Sequence, residues 1–236
     1  MPPPEIADIA ANLERLRERV MRAAERAGRR ADAIALVAVS KTFPVEAIRA
    51  AFEAGLRHFG ENRVQEMQAK RPKLADLGAR WHFIGHLQSN KARLATQLFD
   101  RIDSVDSVSL AQKLDSAAAE LGKRLSVLVE VRMGGEATKS GAGEADLPAL
   151  AESIATLAHL DLHGLMTVPP YSDDPERVRP YFRKLLELRD SLSERLGRRL
   201  PTLSMGMSHD FEVAIEEGAT EIRPGTALFG ARAQKG

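Results

Sequence analysis

The run IALVAVSK, residues 34–41, is a string of aliphatic and β-branched side chains that stops at an amine. Its composition predicts a strand buried on both faces, with Ser40 and Lys41 at its C-terminal tip. A lysine in that place can simply snorkel to solvent. Held partly dry, its ammonium is destabilised, its pKa falls, and the free amine can attack an aldehyde to form a Schiff base. Two other segments offer anion binding. SMGMSHD, residues 204–210, brings Gly206 and the hydroxyls of Ser204 and Ser208 to a predicted helix start, and RPGT, residues 223–226, does the same with Gly225 and Thr226. Backbone N–H groups at a helix start attract anions, and a glycine lets a phosphate oxygen come close. Taken singly, Ser208 reads as an ordinary helix cap and Pro224-Gly225 as an ordinary turn. Arg223 carries donors only, which suits a pyridine nitrogen that it would keep unprotonated. A ring so held is a weaker electron sink than one paired with a carboxylate. By itself, Arg223 also reads as an exposed surface arginine.

These residues must be positioned by regular elements, and the chain supplies them in strict alternation. Ile6, Ile9, Leu13, Leu16 and Val20 fall at helical spacing over residues 5–28, where Gly28 ends the helix, and its other face is rich in Arg and Glu. Strands are then predicted at 34–40, 57–60, 81–85, 98–106, 125–131, 160–168, 201–205 and 220–223. Each is followed by a helical stretch, the later ones at about 146–157, 175–196, 208–217 and, after the last strand, a short helix in GTALFGA. Alternation of this kind calls for parallel strands and crossover helices. Eight such units in about 200 residues match a single (β/α)8 barrel with an extra N-terminal helix, one domain over residues 1–236. A doubly wound open sheet is the alternative.

In a barrel of this type the chemistry sits at the C-terminal strand ends, and phosphates bind after strands seven and eight. That places Lys41, SMGMSHD and RPGT at one end. An aldehyde that also carries a phosphate and a pyridine ring would use all three, and pyridoxal 5′-phosphate (PLP) is such a molecule. A Schiff-base aldolase acting on a sugar phosphate would use only the first two.

The motifs LVAVSK (36–41), HFGENRVQE (58–66), WHFIGHLQSNK (81–91), ATKSG (137–141), GLMTVPP (164–170), LSMGMSHD (203–210) and RPGTALFGAR (223–232) follow one another in an order that resembles the pyridoxal phosphate homeostasis family. The resemblance runs from about residue 6 to residue 232. It implies a barrel similar to the N-terminal domain of alanine racemase, with Lys41 as the Schiff-base lysine and Arg223 beside the pyridine nitrogen. It implies Ser208, Gly225 and Thr226 at the phosphate with Ser204 nearby, and Asn62 and His82 lining the cofactor ring. It also implies storage or delivery of PLP with little or no catalysis, and transient contact with apo-PLP enzymes. Strand five departs from it, reading VEVRM where an asparagine is expected, so that Glu130 brings a carboxylate to the rim. The alternative function is a PLP-dependent amino-acid racemase. A two-base racemase needs an acid/base on each face of the substrate carbon. In racemases of this type the second comes from a domain after the barrel, and the expectation here is that only Tyr171 and Tyr181 are on offer.

Composition narrows the rest. With 34 basic and 33 acidic residues the net charge is +1, which gives no reason to expect nucleic acid or an anionic membrane as partner. The chain has no cysteine, so disulfides, thiolate nucleophiles and Cys-based metal sites are excluded. No apolar run is long enough to span a bilayer, and MPPPEIADIAANLERL is not a signal peptide. The lack of cysteine fits a reducing cytoplasm, and the family resemblance implies a monomer. His82 and His86 straddle a strand end without a matching ligand cluster, so no metal site is expected. GEATKSG lacks the order of a nucleotide-binding loop and reads as a βα loop on the cofactor side. Asp103, Ser104 and Asp106 read as capping residues of the next helix. Of Trp81 and Phe83, one is expected to face the helices.

Overall fold

The computed structural model describes residues 6–134 and 140–231. Its eight strands are β1 (Ala35–Val39), β2 (His58–Glu61), β3 (Arg80–Phe83), β4 (Arg101–Val105), β5 (Leu125–Glu130), β6 (Leu160–Met166), β7 (Thr202–Met207) and β8 (Glu221–Arg223). They are hydrogen-bonded in sequence order into a closed barrel, every pair parallel, with β8 returning to β1. The fold is therefore the (β/α)8 barrel and not the open sheet. The helices are α1 (Ile6–Arg26), α2 (Val45–Glu53), α3 (Val64–Lys70), α4 (Ala92–Leu98), α5 (Val108–Glu120), α6 (Leu147–Thr156), α7 (Arg179–Arg195), α8 (Phe211–Glu216) and α9 (Thr226–Phe229).

Helix α1 precedes the first strand and packs against α2, α8 and α9. Its stripe of Ile9, Leu13, Leu16 and Val20 is buried, as the spacing requires. Its polar face is less solvated than its composition suggests: Arg19 and Arg26 pair with Glu212 and Glu216 of α8, and Arg29, just past the helix, donates to the Ile215 carbonyl.

Strand alternation divides the sheet into two faces. Phe59, Trp81, Phe83, Ile102, Val127, Leu203 and Ile222 join the apolar layer between barrel and helices. Both Trp81 and Phe83 face the helices, because both have the parity opposite to His82. The residues of the other parity fill the barrel: Val37, Val39 and Leu128 are apolar, whereas His82, Asp103, Ser204, Glu221 and Arg223 are polar and all buried. At Gly164 on β6 a side chain is impossible, since a Cβ there would lie 1.9 Å from the Thr202 carbonyl oxygen at φ +157°. That glycine lets β7 close onto β6 where the β5–β6 register shifts.

Two expected boundaries move. Strand β7 runs on to Met207, and α8 begins at Phe211, three residues later than the periodicity suggests. The cause is a kink at Gly206, φ +92°, after which Asp210 accepts a hydrogen bond from the Met207 amide at 2.6 Å. Ser208 thus lies in a turn and not in the first turn of α8. The cap of α5 is Ser107, which accepts from Leu110 N–H; Asp103 and Ser104 are not capping residues. Of the GEATKSG stretch, residues 135–139 lie outside the described residues.

Candidate functional site at the C-terminal rim of the barrel

Lys41 occupies the turn that follows β1 and is half-buried. The next strand around the barrel is β8, and the two are joined at their tips: Val39 N–H donates to the Pro224 carbonyl at 2.9 Å. Gly225 lies against Val39, its Cβ position 3.5 Å from the valine Cβ. Phe43, two residues past Lys41, stacks on Phe229 of α9 with ring centroids 4.8 Å apart. The lysine turn and the RPGT turn therefore share one seam.

At that seam Ser208 does something its sequence position does not suggest. Its Oγ accepts from the Gly225 amide at 3.0 Å and from the Ala227 amide at 3.1 Å. It caps the helix after β8, not the one after its own strand. The two amides are thus aimed at an oxygen atom at the rim, the arrangement that a phosphate oxygen asks for. Thr226 lies between them in sequence and is exposed. Asn62, at the tip of β2, is half-buried, and its backbone oxygen lies only 2.5 Å from where a Cβ of Gly85 would be. Gly85 is what allows the β2 and β3 tips to touch there.

Arg223 is 3% exposed, so it is a buried residue of the barrel and not a surface arginine. It donates through Nη1 to Ser204 Oγ at 2.7 Å and through Nη2 to the Thr167 carbonyl at 2.8 Å. The Ser204 hydroxyl donates in turn to Glu221 Oε1 at 2.6 Å. Both capacities of that hydroxyl are engaged below the rim, so Ser204 serves Arg223. Glu221 also accepts from Nη2 of Arg101, and Asp103 accepts from Nε and the same Nη2, all at 2.6–2.8 Å. Burial pulls the Arg223 pKa down, opposed by the negative charges of Glu221, Asp103, Glu130 and Asp210. Burial alone would raise the Asp103 pKa, but Arg101 overrides it and holds the carboxyl well below its usual range. His82 lines the same interior, its Nε2 2.9 Å from Nδ1 of His58, so that one ring donates and the other accepts. Burial, then the neighbouring His82, lowers the His58 pKa. Nδ1 of His82 stands 3.5 Å from an Asp103 oxygen, beyond a good hydrogen bond. His82, Asp103 and Glu221 bring possible metal-ligand atoms within 4.8 Å of one another, but the guanidinium of Arg101 already occupies both carboxylates.

Arg101, His58 and Glu221 escaped the sequence reading, which took Asp103 for a cap. Their signal was present as polar residues two apart in RID and EIR, on strands whose intervening isoleucines face the helices.

Glu130 ends β5 at 7% exposure and accepts from Ser140 Oγ at 3.2 Å. Burial raises its pKa, outweighing the Ser140 hydrogen bond and the attraction of Arg223. The folded state therefore holds this proton more tightly than the unfolded chain, where a glutamate titrates near ~4.3. Stability gained in this way is fully present below that value and is lost as pH rises through the folded pKa. Glu130→Gln is expected to flatten the decline of Tm above about pH 4.3. Parallel pH–Tm curves for wild type and variant would refute the assignment.

The rim thus brings together an amine, a buried guanidinium held by Ser204 and Thr167, and two amides that converge on the Ser208 hydroxyl, groups whose chemistry suits an aldehyde, a ring nitrogen and a phosphate on one molecule. Comparison with known proteins gives the same direction. The alanine racemase N-terminal domain family matches residues 11–233. A pyridoxal phosphate homeostasis protein of Aquifex aeolicus is 50% identical over 220 residues, covering 93% of this chain and 96% of the relative. PipY of Synechococcus elongatus, solved with PLP bound, is 41% identical with a TM-score of 0.84, over 94% of this chain and 100% of that one. An alanine racemase of Corynebacterium glutamicum shares the fold, with a TM-score of 0.70 at 20% identity over 96% of this chain and 61% of the racemase. This chain belongs to the alanine racemase N-terminal domain family and, within it, to the pyridoxal phosphate homeostasis proteins.

Proposed function

We propose that this protein binds pyridoxal 5′-phosphate covalently through Lys41 and works as a cytoplasmic, monomeric store and donor of the cofactor, with little or no catalysis of its own. The observation that carries the reading is the seam between β1 and β8, which puts the Lys41 turn, Arg223 and the Gly225 and Ala227 amides at one end of the barrel. The PLP bound to PipY and the naming of the Aquifex aeolicus relative support it. When bound, the cofactor supplies an electrophilic aldehyde and a conjugated ring able to delocalise electrons. Lys41 provides the amine. Arg223 donates to the ring nitrogen and, being a poor proton source, leaves it unprotonated; Ser204, Glu221 and Thr167 keep the guanidinium in place. Ser208, Gly225 and Thr226 take the phosphate, and Asn62 and His82 border the ring.

The racemase alternative requires a second acid/base across from Lys41. Tyr171 is 77% exposed, bonded to Asp173 and stacked on His209, and Tyr181 packs against the apolar core. Neither placement favours a catalytic tyrosine. The freshly purified protein is expected to absorb in the visible range, and borohydride should fix the pyridoxyl group on a peptide containing Lys41. A colourless preparation, or a label on another lysine, would sink the proposal. Formation of D-amino acids from L-amino acids would instead establish the racemase. Failure to load an apo-PLP enzyme on mixing would count against delivery while leaving storage intact.

A further inference from the structure

Beneath the Lys41 turn lies a buried charged cluster that the binding site as described does not use. Lys70, the last residue of α3, sends its Nζ to Glu61 Oε1 at 2.8 Å, Glu66 Oε1 at 2.7 Å and the Ser40 carbonyl at 3.1 Å. Its side chain is 11% exposed, and that of Glu61 is fully buried. The two carboxylates reach the residues on either side of Lys41. Glu61 accepts from Ser40 Oγ at 2.7 Å, and Glu66 accepts from the Thr42 amide at 2.6 Å. Residues 40 and 42, on either side of the lysine, are therefore both bonded to this cluster. Thr42 has φ +70°, and among the described residues it is the one non-glycine in the left-handed region. L side chains rarely adopt that conformation unless surrounding contacts impose it.

Resting on the proposed covalent role of Lys41, we infer that Lys70, with Glu61 and Glu66, is a positioning residue: it clamps the turn from below and sets the direction in which the Lys41 amine leaves the backbone. The physical argument is one of accounting. A buried ammonium with two carboxylates costs desolvation, and a left-handed threonine costs strain. Both are met against the two residues that flank the reactive amine, and among the described residues the cluster's bonds to backbone go to residues 40 and 42. A cluster serving only to hold α3 on the barrel would have no need of the Thr42 amide.

The test compares two ligands. PLP needs the amine in the right direction, whereas pyridoxamine 5′-phosphate has the ring and phosphate but no aldehyde. Lys70→Met keeps the length and removes the charge. It is expected to slow covalent capture of PLP roughly tenfold and to shift the pH profile of the visible band, since small misplacements of a reacting group cost at least that much. Affinity for pyridoxamine 5′-phosphate should not change, and Lys70→Arg, which keeps a cation with N–H donors, should restore most of the capture. An unchanged capture rate, or an equal loss for both ligands, would overturn the clamp. Should Lys70→Met fail to fold, Glu66→Gln, which retains an acceptor for the Thr42 amide and removes one charge, is judged by the same ratio. If the wild type itself captures no PLP on Lys41, the underlying reading fails; if it does and the ratio does not move, only the clamp fails.

Discussion

Lys41→Ala is expected to lose the visible absorption and the borohydride-fixed label completely, while still binding pyridoxamine 5′-phosphate about as the wild type does. The two halves of that result have separate causes. Covalent retention needs a nucleophilic amine, and the turn after β1 provides one at the seam with β8. The proposed phosphate and ring contacts fall to Ser208, Gly225 and Arg223, whose hydrogen bonds do not run through the lysine side chain. Lys70 is near in space but is committed to Glu61, Glu66 and the Ser40 carbonyl, so it should not take over the reaction. Absorption spectra, peptide mapping after reduction, and titration with the amine analogue check the three statements. A residual label in Lys41→Ala would show that the amine at this rim is not the one that matters.

The largest effect on stability is expected from Arg101→Met. Arg101 bridges Asp103 and Glu221 in the barrel interior, with bonds of 2.6–2.8 Å to both. Its removal leaves two carboxylates buried and uncompensated, which typically costs about 3–5 kcal/mol. For a chain of this size that corresponds to a fall in Tm of roughly 10 °C. Thermal and urea unfolding measure it. The triple variant Arg101→Met, Asp103→Asn, Glu221→Gln removes the stranded charges and is expected to recover much of the loss. A single variant as stable as the wild type would mean that water reaches the interior and screens the pair. The same change should loosen Arg223, because Glu221 holds the Ser204 hydroxyl to which Arg223 donates. Weaker retention of PLP than the unfolding data account for is the expected sign.

The sequence by itself determined the order of eight strands, the N-terminal helix, and Lys41, Ser208, Arg223 and Gly225 as residues of the strand ends. Those features are local: hydrophobic period, glycine and proline punctuation, and motif order are written within short windows. Tertiary structure decided the partners. Ser208 reads as a cap for the helix beginning beside it, but its hydroxyl serves amides 17 and 19 residues further on, because closure of the barrel brings β7 and β8 together. Asp103 reads as a cap and is instead ion-paired with Arg101, which reaches Glu221 across 120 residues. Arg223 taken alone reads as a ring-nitrogen donor or as a surface arginine, and the parity of β8 turns it into the barrel. Hydrogen bonds and ion pairs of that range leave no period in a sequence, since only the closed sheet fixes which strands are neighbours and which face of each points inward.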